Sequence, residues 1–109
     1  MTIKELITPF QEQYEPVLGD RLEEIAVNCI SLCETWLTMA KSKTLMFREL
    51  DDNGDIIKNL YGVTPDNLTT ELFSICVTKP KKISTVEVYY LSKGDGRLIE
   101  NFLGAIDII

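Results

Sequence analysis

The sequence contains no histidine, so the side chain that most often shuttles protons or binds metal near neutral pH is missing. Bases are few: 11 Lys and Arg stand against 17 Asp and Glu, a net charge of −6. That balance excludes a general basic face for nucleic acid, which must displace counterions from phosphate. No stretch approaches the roughly 18 apolar residues of a membrane span. The start, Met1-Thr2-Ile3-Lys4-Glu5, carries an acid early and lacks the apolar run of a signal peptide. Cysteine is sparse and odd in number (Cys29, Cys33, Cys76), at no zinc-type spacing. Together these absences point to a reduced cytoplasmic setting, without membrane, metal or cofactor. The sequon Asn67-Leu68-Thr69 is accidental in that setting.

What is present is ordinary for a globular chain: 45% hydrophobic and 26% charged residues over a length that suits one domain, 1–109. Thr2 with Glu5 reads as a capping box opening a helix that carries Ile3, Leu6, Ile7 and Phe10 on one side. Pro9 should kink that helix, or restart it with Thr8 as cap. Asp20 with Glu23 reads as a second box. After it Leu22, Ile25, Ala26, Cys29, Ile30, Cys33, Trp36, Leu37 and Ala40 form one stripe at helical spacing, predicting a helix over 21–41.

Beyond Ser42 the pattern becomes extended. Thr44 to Asp51 and Asp55 to Tyr61 flank Asn53-Gly54, a strong hairpin signal that asks for positive φ at both turn residues. Counting outward pairs Glu49 with Lys58 and Phe47 with Leu60. Thr64-Pro65-Asp66-Asn67 reads as a cap or turn starting a brief helix. Thr70 to Thr78 fits either period, and a strand is preferred because the β-branched run Ile83 to Leu91 follows a short loop. That strand would set Phe73 opposite Val88 and Ile75 opposite Val86. Ser92 to Gly96 reads as a loop, after which Leu98, Ile99, Phe102, Leu103 and Ile106 recur at helical spacing. The expected architecture is α+β: N-terminal helices packed on a four-stranded, mainly antiparallel sheet, with a short C-terminal helix.

Several segments invite a chemical reading that the residues do not sustain. From Glu49 to Ile56 the sequence imitates part of a calcium loop, but the twelfth position is Leu60 instead of a bidentate glutamate. A hairpin turn accounts for it. Cys29 and Cys33 lie one helical turn apart inside the apolar stripe, with Cys76 as a potential third thiol; packing explains them better than an incomplete zinc shell. Gly94-Asp95-Gly96-Arg97 lacks the sequence of a phosphate loop, and Lys79, Lys81 and Lys82 suit a solvated loop. No nucleophile has a base beside it in these patterns, which argues against an enzyme or a small-metabolite sensor.

Acids are unevenly spread. Seven acids and one base occupy Glu5 to Glu34, and six acids and two bases occupy Arg48 to Glu71. Glu23 and Glu24 at the start of the main helix, with Asp51, Asp52 and Asp55 at the hairpin tip, are the candidate partner-binding residues. The expected function is a small acidic protein-binding module that masks or inhibits a partner carrying a basic or mixed-charge surface. The alternative is a self-associating accessory subunit, a homodimer through the apolar helix or the C-terminal surface Ile106-Asp107-Ile108-Ile109.

Overall fold

In the computed structural model the described residues are 2–40, 44–63, 67–78 and 82–108, with side chains except at 35–40 and 63. Helix α1 spans Ile3–Leu18 and α2 spans Arg21–Ala40. The capping box forms as the sequence predicts. Glu5 N–H donates to Thr2 Oγ1 at 3.1 Å, and Thr2 N–H donates to Glu5 Oε1 at 3.2 Å. Hydrogen bonding from the Thr2 side chain, and then from its backbone N–H, holds the Glu5 carboxyl below its ordinary pKa.

The helix neither ends nor restarts at Pro9; it runs through Pro9 and Pro16. Each proline deletes one intrahelical donor. The Thr8 hydroxyl bonds to Lys4 O at 2.6 Å instead of capping a new helix. Packing overrides the local penalty, since Leu6 is buried and Ile3, Ile7, Phe10, Tyr14 and Leu18 lie against the core. Gly19, at φ 54° and ψ −131°, ends the helix where a side chain would be strained.

The expected Asp20–Glu23 box gives way to other bonds. Leu22 N–H reaches Gly19 O at 3.2 Å, Glu24 N–H reaches Asp20 O at 3.3 Å, and Arg21 pairs with Glu24 at 2.6 Å. Of the predicted stripe, Leu22, Ile25, Ala26, Cys29 and Cys33 are buried. The side chains of Trp36, Leu37 and Ala40, and the whole of Lys41, lie outside the described residues.

Strands β1 (Thr44–Leu50) and β2 (Ile56–Val63) form the predicted hairpin, with Glu49 opposite Lys58 and Phe47 opposite Leu60. The turn itself differs from the expected one. Among the described non-glycine residues only Asp95 has positive φ, so Asn53 does not, while Gly54 does at 82°. Gly54 N–H bonds to Asp51 O, and Asp51 N–H to Asp55 O, both at 3.0 Å. The loop therefore holds three residues, 52–54. The predicted register survives because Leu50 pairs with Ile56 and Glu49 with Lys58, leaving Ile57 as an extra residue. One residue added to the turn is offset by one bulged residue in β2.

Helix α3 (Leu68–Thr78) occupies the segment expected as a strand. Leu68, Leu72 and Cys76, with Phe73 and Val77 one position on, are all buried and form a helical stripe. Strands β3 (Thr85–Gly94) and β4 (Arg97–Asp107) complete the sheet in the order β2-β1-β3-β4, every neighbouring pair antiparallel. The partners of Val88 and Val86 are thus Phe47 and Glu49 on one side and Gly104 and Ile106 on the other, not Phe73 and Ile75. The C-terminal helix expected from Leu98 to Ile106 is instead β4. Asp95 at φ 51° and Gly96 at φ 79° make the tight turn into it.

β2 and β3 run parallel with β1 between them, a connection that requires a crossover, and α3 supplies it. All three helices contribute to one core against one face of the sheet, formed from Leu45, Phe47, Val86, Val88, Leu103 and Ile106. The described helices include none long and apolar enough to cross a membrane.

Candidate functional site

Three helices on one face leave the other face of the sheet uncovered by the described chain. The pairing register defines what stands on it. Tyr61, Met46, Tyr89 and Phe102 are successive cross-strand partners, so one row runs through all four strands. At about 4.8 Å per strand it spans about 14 Å. Met46 at the centre is fully buried between two tyrosines, while Tyr61 and Phe102 at the flanks are 56% and 57% exposed. Phe102 meets Tyr89 edge to face at 5.5 Å between ring centres.

The neighbouring row carries Asn59, Arg48 and Glu87 side by side. Arg48 projects from β1 between Asn59 and Glu87. Its Nε donates to Asn59 Oδ1 at 2.9 Å, and its Nη2 donates to both carboxylate oxygens of Glu100 at 2.8 Å. The guanidinium lies over the Tyr89 ring, 4.9 Å from its centre. The Tyr89 hydroxyl donates to Glu87 Oε1 at 2.8 Å. Partial burial, and then that bond, raise the Tyr89 phenol above its ordinary pKa. One arginine thus ties β2, β1, β3 and β4 together and fixes the orientation of the central aromatic ring.

The sequence-predicted acids lie elsewhere, and the structure gathers them at one end of the sheet. Asp51 is a turn residue: its Oδ1 accepts from Asn53 N–H at 2.9 Å and Asp55 N–H at 3.0 Å. Asp52 accepts a hydrogen bond from the Ser84 hydroxyl. Ser84 O accepts from Ile108 N–H at 2.8 Å, and Arg21 donates to Ile108 O at 2.6 Å and to Asp107 O at 3.1 Å. Arg21 in turn pairs with Glu24. A continuous chain of bonds therefore links the hairpin tip to the start of α2, where Glu23 and Glu24 are exposed. Asp55 is also exposed. None of the five belongs to the Tyr61–Phe102 row.

The cysteines meet inside the core, and all three are buried free thiols. Cys29 shares a hydrogen bond with Cys76, and that bond together with burial pushes its pKa far up. Burial pushes Cys33 up too, partly opposed by a bond from Thr69. Among the described residues no three His, Cys, Asp or Glu side chains are arranged to hold a metal ion.

A thiol held protonated in the fold but free to ionise once unfolded makes stability pH-dependent. Because the folded pKa is raised, its contribution is complete below the unfolded value of about 8.5 and is lost as pH rises above it. Stability is expected to fall by about 1.4 kcal/mol per pH unit for each such thiol. Urea unfolding between neutral and strongly alkaline pH should show that slope, and Cys29→Ala should reduce it. An aromatic disulfide reagent should titrate these thiols only as the chain unfolds; rapid reaction of folded protein would refute the assignment.

Gly94 to Arg97, considered as a phosphate loop or surface turn before a helix, is the β3–β4 turn and its flanks. Lys82 is exposed, and Lys79 and Lys81 lie outside the described residues. The sequence conceals the open-face row because Leu98, Ile99, Phe102, Leu103 and Ile106 of β4 recur at helical spacing. Asp95-Gly96, a strong two-residue hairpin signal, was the sign of it. Comparison of the chain with protein-family models, with curated proteins and with solved structures returns no match.

Proposed function

We propose that this chain is a protein-binding module that acts by occupying a partner's surface through the open face of its sheet. The observation that carries the reading is the Tyr61–Met46–Tyr89–Phe102 row, uncovered and braced by Arg48. Tyr, Phe, Met and Arg are the residues enriched at the cores of protein interfaces. A braced face also loses little side-chain freedom on binding, which favours affinity. The acids at the end of the sheet and the net charge of −6 suit a partner with an apolar centre and a basic rim, drawn in by long-range attraction.

Tyr61→Glu, at an exposed flank of the row, is expected to abolish capture of the native partner. Val17→Glu is the control: Val17 is 62% exposed on α1. Equal capture by both variants would overturn the reading. Steering is tested separately by Glu23→Lys with Asp55→Lys, expected to slow association and flatten its salt dependence. Asp51 is left intact, because its carboxylate holds the turn.

A further inference from the structure

We infer that a second copy of this chain pairs along β4, antiparallel to the first, about a two-fold axis passing beside Glu100. The two sheet edges differ in what they offer. On β2, Ile57 and Gly62 are both extra residues in the pairing, and exposed Lys58 stands between them, so that edge is broken up. On β4 the bulge lies further along, at Leu103, and Arg21 occupies the carbonyls of Asp107 and Ile108. A regular edge remains from Arg97 to Phe102, whose outward backbone N–H and C=O groups pair with no other strand among the described residues. Water solvates such a row in the single chain, and another extended strand can replace that water along its whole length.

The side chains on that edge select a copy of themselves. Leu98, Glu100 and Phe102 stand on the open face, as their partners Lys93, Leu91 and Tyr89 require. Leu98 and Phe102 are 58% and 57% exposed. An axis at Glu100 sets Leu98 of each copy opposite Phe102 of the other. An axis at Ile99 would instead put Leu98 opposite Glu100, and one at Asn101 would put Glu100 opposite Phe102. Only the Glu100 register joins apolar to apolar twice. Its one like-charge contact, Glu100 against Glu100, is neutralised because Arg48 already holds each carboxylate.

The result is one eight-stranded sheet with a continuous open face. It stands independently of the partner proposed above, since its readout is mass alone.

Light scattering and sedimentation of the purified chain should give twice the 12.4 kDa chain mass, falling on dilution. Leu98→Glu keeps the hairpin, because the new carboxylate faces Lys93, and is expected to weaken the dimer about tenfold or more. Glu100→Cys under oxidised glutathione should form a covalent dimer rapidly; Asn101→Cys, which faces Ile99 in this register, should not. A monomer at every concentration would overturn the inference. A dimer whose dissociation on dilution is unchanged by Leu98→Glu, or equal cross-linking by both cysteine variants, would overturn it too.

Discussion

Phe73→Ala is expected to remove about 3–5 kcal/mol of stability, the usual cost of truncating a buried aromatic side chain. Phe73 is fully buried on α3 and meets Phe10 of α1 edge to face at 5.3 Å. The substitution therefore opens a cavity where two helices and the sheet converge, and it deletes an aromatic pair as well. Small domains have about 5–15 kcal/mol in total, so the variant stands near its folding limit. Phe102→Ala provides the contrast, because Phe102 is exposed on the open face and leaves no cavity. Its loss should stay near 1 kcal/mol, most of it the contact with Tyr89. Urea unfolding followed by circular dichroism compares the two at unchanged m-value. Equal losses would mean that α3 does not anchor the core in the way described.

The same residue shows where a sequence is informative and where it misleads. Phe73, Ile75 and Val77 alternate as in a strand, and their β-branched and aromatic character favours that reading. Yet Leu68, Leu72 and Cys76 with Phe73 and Val77 also form a helical stripe, and Ile75 is only partly buried. Topology decides between the periods. Two parallel strands flanking β1 need a long connection on one side of the sheet, and a helix both spans it and covers the core. Nothing local to residues 70–78 carries that constraint.

At the other end the bulge has the opposite effect, giving a strand the look of a helix. Phe102 faces the open side, whereas Leu103 and Ile106 are buried, because the extra residue between the Tyr89–Phe102 and Val88–Gly104 pairs reverses the alternation. A strand with one such reversal imitates helical spacing. Residues 70–78 and 97–107 exchange the roles their local patterns suggest, so four strands and the α+β class with N-terminal helices on an antiparallel sheet hold although one strand and one helix trade places. The first hairpin and both N-terminal helices were legible because their signals are local: a capping box, an apolar stripe and Asn53-Gly54. The open-face row was not legible, since it exists only once four strands are set in register.

Arg48→Ala is expected to remove about 1–3 kcal/mol and to loosen the face proposed for binding. Hydrogen bonds to charged groups contribute about 1.5–3 kcal/mol when buried, whereas exposed ion pairs contribute about 0–1 kcal/mol. Arg48 lies between these limits: its side chain is 15% exposed and that of Glu100 is 38% exposed. Arg48→Lys should recover little, since an ammonium has no Nε for Asn59 and no plane to lie over Tyr89. Arg48→Met separates packing from bonding, because its chain still covers the sheet without donating. A double-mutant cycle with Glu100→Ala should return a coupling of about 1 kcal/mol; additivity would show that the pair is idle in solution. Recognition supplies the second readout. If Arg48 serves by holding Tyr89 in place, Arg48→Met should hasten dissociation of a bound partner far more than it alters association. Stability lost with dissociation unchanged would make Arg48 a brace for the sheet and move the binding surface off this face.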